Sequence, residues 1–142
     1  MNKDQIIRHL ALAPHPEGGH YRETARMGAA DGSGGRASGT CIYFLLAAGE
    51  RSHWHHVDAT EIWHFYAGAP LILSISDSDT GPKTDHILGP DLAAGAFPQQ
   101  IVLPGHWQSA RTTGDWTLVG CTVSPGFEFA GFTLAPPDFD IP

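Results

Sequence analysis

The stretch RSHWHHVDATEIWH, residues 51–64, decides the fold because it contains two short strand-like segments around one turn. Each segment is rich in aromatic or β-branched residues, and Asp, Ala and Thr separate the two. We therefore predict neighbouring strands at residues 52–56 and 61–66. On the first strand His53 and His55 alternate, so both side chains are expected to leave the same face of the sheet.

The rest of the chain is cut into similar short segments by 17 Gly and 11 Pro. About eight short strands at this spacing favour a closed barrel or a jelly roll. Only the beginning has a helical pattern, which predicts a helix at residues 5–12 with Asp4 as its N-cap and Pro14 as its end. The further predicted strands are residues 20–24, 40–47, 71–76, 83–88, 101–103 and 117–123.

Length and composition limit the functional classes. The 142 residues suit one domain, and 42% hydrophobic with 16% charged residues exclude intrinsic disorder. A formal net charge of −7 argues against partners such as nucleic acid or an anionic membrane surface. No apolar run approaches the ~20 residues of a membrane span, and the polar start does not resemble a signal peptide. We expect a cytoplasmic protein.

Three further features have ordinary structural interpretations. Cys41 and Cys121 lie far apart within apolar runs, which indicates small buried hydrophobes rather than a redox or zinc motif. Residues 27–39 (MGAADGSGGRASG) are predicted to form a mobile surface loop, either a lid over a pocket or a tolerated insertion. The segment 127–142 mixes Phe with Pro and Asp, and we expect it to pack on the barrel exterior or on a second subunit.

The densest chemical cluster combines two imidazoles and one carboxylate. His53 and His55 on one strand, with Glu61 opening the next, form a three-ligand set that a divalent metal uses with open positions left for substrate. Zn, Fe, Ni and Mn all suit such ligands. By alternation Trp63 shares the face of Glu61, where its ring is expected to form a stacking wall.

A second cluster is HPEGGHYRET, residues 15–24. The two glycines allow a tight turn, and Tyr21 and Glu23 then alternate on one strand face. Glu17 or Glu23 is a candidate carboxylate for a polar substrate, and Arg22 is a candidate for fixing an anion. For Glu17 we favour a structural role in which the carboxylate satisfies amides of the turn.

At this point the sequence resembles a known family. His53-x-His55, Glu61 and Gly68 resemble the first motif of the cupin superfamily, and residues 101–108 occupy the place of the second. The resemblance extends from about residue 6 to residue 134 and implies a double-stranded β-helix, a jelly-roll barrel that is usually dimeric, with no settled activity. The segments that resemble the DUF985-type (Cupin-5) branch are HPEGGHYRET, IYFLL (42–46), EIWHFYAGAPL (61–71), WQSAR (107–111) and LVGCTVSPGFEF (118–129).

Two departures from the superfamily pattern leave the metal question open. The five residues between His55 and Glu61 are one more than the motif allows. The usual histidine of the second motif falls at Gln108, which is a poor ligand for a transition metal, although His106 lies two residues earlier and could take the role.

The sequence therefore predicts a single cupin domain over residues 1–142, all-β with a short N-terminal helix, acting as a homodimer. We expect it to bind and transform a small polar metabolite, such as a sugar derivative or an organic acid. His55 would be the catalytic base with Glu61 orienting it, as in an isomerase or epimerase, or His53, His55 and Glu61 would hold one divalent metal ion. A non-catalytic ligand-binding cupin is the alternative. The expected remaining pocket residues are Tyr21, Glu23, Trp63, His106 and Gln108.

Overall fold

A computed structural model describes residues 1–29 and 31–142, and it consists mainly of strands. One helix, α1, spans Lys3–Leu10, and single 3-10 turns lie at Leu92–Ala94 and Phe129–Gly131. The strands are β1 (Ala13–Pro14), β2 (His20–Met27), β3 (Gly39–Ala47), β4 (Ser52–Val57), β5 (Thr60–Gly68), β6 (Leu71–Ser76), β7 (Thr84–Leu88), β8 (Gln99–Val102), β9 (Trp107–Thr112), β10 (Trp116–Ser124) and β11 (Phe132–Leu134).

Two antiparallel sheets enclose the core. One has the order β1-β2-β3-β10-β5-β8 and the other has the order β11-β4-β9-β6-β7. This arrangement confirms the predicted all-β jelly roll with a short N-terminal helix. Alternation along each strand directs one set of side chains inward, where they exclude water from the space between the sheets. The buried cluster there consists of Phe44, Leu46, Trp63, Leu71, Leu73, Leu88, Val102, Ala110, Val119 and Cys121.

The helix differs from its predicted bounds because its caps differ. Asn2, not Asp4, is the N-cap: its side chain accepts the Gln5 N–H at 2.9 Å while the Gln5 side chain accepts the Asn2 N–H at 2.8 Å. This reciprocal pair starts the helix at Lys3. Ala11 adopts a left-handed conformation and ends the helix before Pro14 is reached. Ile6 packs with Leu12 and Leu45 on the outer face of the larger sheet.

The end of the C-terminal segment packs on the outside of the barrel, which is one of the two predicted positions, whereas residues 132–134 join the smaller sheet as β11 beside β4. Ile141 is fully buried and packs with Trp54 and Ala135, and the Trp54 indole N–H donates to Asp140 at 2.8 Å. Among the residues that the structure describes, no helix is long and apolar enough to cross a membrane.

Arg36 binds the Gly- and Ser-rich stretch to the barrel, next to hydrogen bonds that the carbonyl oxygens of Ala37 and Ser38 accept. The predicted loop 27–39 includes Ala30, which lies outside the described residues. Arg36 donates through Nη1 and Nη2 to both carboxylate oxygens of Asp58, at 3.0 and 2.7 Å, and through Nε to the Gly126 carbonyl at 2.8 Å. One guanidinium therefore joins this stretch to the strand connection at Asp58 and to the segment that follows β10.

The Gly18–Gly19 turn fits tightly against its neighbours. Gly19 has φ +73°, and a Cβ there would lie 2.8 Å from both the Leu45 carbonyl oxygen and the Leu46 side chain. A Cβ on Gly18, at φ +110°, would overlap the Arg51 carbonyl oxygen. Because both positions need a positive φ and the absence of a side chain, this pair of glycines lets the turn approach β3 and the start of β4.

We expect Gly19→Ala to lower the free energy of unfolding by about 3 kcal/mol, because strain in φ adds to overlap with β3. Gly49→Ala is the matched control, since Gly49 also has a positive φ, +83°, but a Cβ at this position would meet no atom within 4 Å. That control should lose only about 1 kcal/mol. Urea unfolding measures both values, and equal losses would contradict the close approach.

Candidate functional site

A bulge in β4 determines which of its residues face the barrel interior. Ser52 pairs with Ala110 and His55 pairs with Gln108, so three steps along β4 match two steps along β9. As a result Ser52 and His55 are both buried on the inner side. His53 turns to the outer side, where its Nε2 lies 2.8 Å from the Pro136 carbonyl oxygen. The prediction that His53 and His55 share one face was therefore wrong.

Glu17 lies at the centre of the buried polar cluster. Its carbonyl oxygen accepts the His53 N–H at 2.8 Å, which connects the N-terminal turn to the bulge. Its carboxyl group accepts a hydrogen bond from the Ser52 hydroxyl and lies 3.3 Å from His15 Nδ1 and 3.4 Å from His55 Nδ1. The side chain thus enters the barrel and does not satisfy turn amides, contrary to the role we favoured from the sequence.

Hydrogen bonds define the tautomers of both histidines. His15 Nδ1 accepts the Glu17 N–H at 3.1 Å, so this nitrogen carries a lone pair. His55 Nδ1 lies 2.8 Å from the His53 carbonyl oxygen, which only accepts, so this nitrogen carries the proton. The lone pair of His55 is consequently on Nε2, which has no hydrogen-bond partner among the described residues, and His55 lines the cavity.

A chain of buried hydrogen bonds positions Glu61. The Trp63 indole N–H donates to Gln108 Oε1 at 2.7 Å, and Gln108 Nε2 donates to Glu61 Oε1 at 2.9 Å. Because the indole can only donate, it determines which end of the Gln108 amide faces Glu61. Gln108 therefore acts as a hydrogen-bond donor to a carboxyl group, at the position where the superfamily pattern has a histidine.

Burial shifts the ionisation of this cluster toward neutral groups. Burial raises the pKa of Glu17 to about 8, with the Ser52 hydrogen bond acting in the opposite direction. Burial also raises the pKa of Glu61 to about 7, opposed chiefly by His55. The pKa of His15 is lowered to about 4 by burial and by His55, and burial lowers the pKa of His55. The close histidine–Glu17 contacts are therefore contacts between neutral groups near pH 7, and not ion pairs.

The cluster lines a cavity of about 570 Å³ at one end of the barrel. Of the predicted site residues, His55, Glu61, Tyr21 and Glu23 line this cavity. Trp63 and Gln108 are buried behind its wall, so Trp63 supports the hydrogen-bond chain and offers no stacking surface to a ligand. His106 precedes β9 and, like His53, is not part of the lining.

Two residues of the polar cluster, His15 and Ser52, were not predicted from the sequence to be functional. For His15 the sequence carried a partial signal, because the residue lies just before the glycine pair 18–19. A glycine pair allows the backbone to approach a neighbouring strand, which brings the polar residues beside it close to that strand. For Ser52 the sequence carried no signal, because its inward direction depends on the bulge.

The predicted metal ligands do not assemble. His53 lies on the outer side of the sheet, while His55 and Glu61 line the cavity. In residues 1–29 and 31–142 no group of three or more His, Cys, Asp or Glu side chains is arranged to hold a metal ion. Glu61 is instead held by the Gln108 amide. The residues present do not fit the three-ligand site that the sequence suggested.

Comparisons with known proteins agree with this architecture. The family model described as Cupin superfamily (DUF985) matches residues 4–135. A Shewanella oneidensis protein, SO0799, is 43% identical with a TM-score of 0.88, over 95% of this chain and 85% of that one. A hypothetical protein from Leishmania major is 30% identical with a TM-score of 0.83, over 95% and 88%.

A more distant match carries information on the fold alone. A Bacillus subtilis oxalate decarboxylase variant is 12% identical with a TM-score of 0.64, and the match covers 86% of this chain but 29% of that chain. No curated protein matches the sequence.

We expect Gln108→Leu to lower the free energy of unfolding by about 2–4 kcal/mol, because it leaves the Trp63 N–H and a Glu61 oxygen buried without partners. Gln99→Leu is the control, since Gln99 is exposed and its nearest partner, His64 Nδ1, lies 3.5 Å away. Its stability should stay within about 0.5 kcal/mol of the wild type. Denaturant titration distinguishes the two, and a small loss for Gln108→Leu would contradict the hydrogen-bond chain.

Stability should fall as the pH rises from 6.5 to 8. In the unfolded chain Glu17 ionises near its ordinary pKa of 4.5, whereas in the folded state it keeps its proton up to a pKa of about 8. Between these values the folded state holds the extra proton, so the loss is about 2 kcal/mol over this interval. Histidines whose pKa is lowered in the folded state, such as His15 and His55, offset part of this decline, because in the unfolded chain they are still half protonated at pH 6.5.

In the variant Glu17→Gln the free energy of unfolding should fall by at most half as much between pH 6.5 and 8, because the glutamine has no proton to release. Glu23→Gln is the control: Glu23 is paired with Arg26 at the cavity mouth, and its loss should shift stability equally at both pH values. Urea unfolding at several pH values measures the slopes. An unchanged slope in Glu17→Gln would show that Glu17 is not the group that titrates.

Proposed function

The chain belongs to the DUF985 family of the cupin superfamily, and from that premise we propose that its barrel cavity transfers protons on a small polar metabolite. The substrate class is a carbonyl compound such as a sugar derivative or an organic acid, and the reaction is of the isomerase or epimerase type. The observation that carries the proposal is the His55 imidazole: its Nε2 lone pair has no partner among the described residues, and the ring lines the same cavity as two buried carboxyl groups.

His55 is the base in this proposal. Its Nδ1 proton is held by the His53 carbonyl oxygen, which fixes the ring and leaves Nε2 to accept a proton from a carbon next to the substrate carbonyl. Its lowered pKa keeps the imidazole neutral, and therefore competent as a base, across the neutral pH range. The carbonyl of residue 53, rather than Glu61, orients the ring.

A buried carboxyl group supplies the matching acid. As the proton leaves carbon, the carbonyl oxygen of the substrate gains negative charge and takes a proton from Glu17 or Glu61. Both groups have a raised pKa, so each retains a proton near pH 7 to a degree that an exposed glutamate does not. Return of the proton from His55 to carbon on another face or position, together with transfer of a hydroxyl proton back to the same glutamate as the carbonyl re-forms, completes the isomerisation.

His55→Gln should slow proton exchange by about a hundredfold or more, since general-base catalysis contributes on that scale. The measurement follows deuterium incorporation from D₂O next to the carbonyl of a panel of ketoses, aldoses and 2-oxo acids, by NMR. His56→Gln is the matched control, because His56 is the neighbouring residue in β4 but packs against Trp107 away from the cavity.

Two outcomes would contradict proton transfer. Equal loss in His55→Gln and His56→Gln would show that the effect arises from folding rather than from the base. Ligands that bind, as detected by calorimetry, but never exchange deuterium would favour the alternative of a non-catalytic binding cupin. The homodimer that the family resemblance implies stays a prediction, and size-exclusion chromatography with light scattering tests it.

A further inference from the structure

We propose that the ligand of this cavity carries a protonated amine, which lies among His55, Glu61 and Glu17. The inference rests on the proposed function, because it assigns a substrate class to the same cavity. It narrows that class from polar metabolites in general to amine-bearing compounds. The features that support it are the hydrogen-bonding character of the inner wall, the positions of the cationic side chains, and the aromatic rings at the mouth.

The inner wall offers an unused acceptor. His55 is 2% exposed, and its Nε2 carries a lone pair with no partner among the described residues. Because His55 lines the cavity, this lone pair is open to a ligand that donates a hydrogen bond. An ammonium group has three N–H donors and no acceptor, which matches a wall formed by an imidazole lone pair and carboxyl oxygens.

The two buried carboxyl groups have no cationic side chain as partner. Glu61 receives its hydrogen bond from the neutral amide of Gln108, and Glu17 receives one from Ser52. Within the described residues neither carboxyl group forms an ion pair with Lys or Arg. A cationic ligand would therefore bring the positive charge that these two groups lack. It would favour the ionised form of one carboxyl group and leave the other to keep the proton that the proposed function uses.

The arginines at the cavity do not compete for this role. Arg26 donates to both oxygens of Glu23 at 2.8 Å and to the Phe127 carbonyl at 3.0 Å. Arg22 is exposed, and it donates to the Leu10 carbonyl at 3.2 Å. The lining includes the carboxyl groups of Glu128 and Glu23 beside these two guanidinium groups, so the mouth has no net positive charge to attract an anion.

Aromatic rings add a second attraction for a cation. The side chains of Tyr21, Phe127 and Phe129 line the cavity, and Phe129 is 55% exposed. Phe127 and Phe129 lie edge to face with ring centroids 5.0 Å apart. Ring faces attract ammonium groups and also stack on the apolar part of a ligand, whereas they give no such advantage to a carboxylate.

The test compares ligands that share a scaffold and differ in charge. Glucosamine, glucose and glucuronate form one set, and benzylamine, benzyl alcohol and benzoate form another. We expect the amine of at least one set to bind about tenfold more tightly than its neutral analogue, by calorimetry at pH 7, and the carboxylate to bind most weakly. A preference for either carboxylate, or failure of both amines to bind at millimolar concentration, would overturn the inference.

Variants identify the groups responsible. In Glu61→Gln and Glu17→Gln the advantage of the amine over the neutral analogue, measured as the ratio of their dissociation constants, should fall about tenfold. Asp79→Asn removes one exposed carboxylate that is not among the lining residues and should leave the advantage unchanged. If Asp79→Asn lowers it as much as the other two variants, the preference comes from overall charge and the inference fails.

Failure of this inference is distinguishable from failure of the proposed function. In one outcome, neutral or acidic ligands exchange deuterium in a way that depends on His55, and the amines do not bind. This result would refute the amine ligand and leave the proposal of proton transfer intact. Amine binding that depends on Glu61 and Glu17, without exchange in any ligand, would support the amine and refute proton transfer.

Discussion

The arrangement of the cavity depends on one close contact, the docking of the Glu17 turn onto the bulge in β4. The Glu17 carbonyl oxygen accepts the His53 N–H, and the Glu17 side chain then extends toward Ser52 and His55. This contact is sterically possible only because Gly18 and Gly19 have no side chains. A backbone interaction at the barrel mouth thereby brings together groups that lie more than thirty residues apart in sequence.

The buried histidines and glutamates of the cavity are mainly neutral, although a carboxyl group next to an imidazole commonly forms an ion pair. In a buried cavity with no cationic partner, a carboxyl group keeps its proton and an imidazole stays unprotonated, because desolvation disfavours both charged forms. The Gln108 amide is consistent with this balance, since it supports Glu61 without adding a charge. The chemistry available is therefore that of hydrogen-bond donors and acceptors whose protons are exchangeable, rather than that of a fixed ion pair.

The sequence predicted the architecture better than the site, for physical reasons. Turn residues and alternating apolar positions determine strands locally, and the strand β6 was predicted at the bounds observed. The strand β9, WQSART, was missed because its polar residues have low β-propensity, and pairing with β4 and β6 on both sides overrides that preference. The direction of His53 depended on the β4 bulge, and strict alternation along a strand does not anticipate a bulge.

The Arg36 guanidinium separates the Gly- and Ser-rich stretch from the aromatic wall of the cavity mouth. Its bonds to Asp58 and Gly126 lie between residues 31–35 and the segment that carries Phe127 and Phe129. Residues 31–35 are exposed, and none of them lines the cavity. A peptide or a reporter group inserted there would therefore lie outside the cavity lining, whereas Arg36 must be kept, because its bond to Gly126 adjoins the aromatic wall.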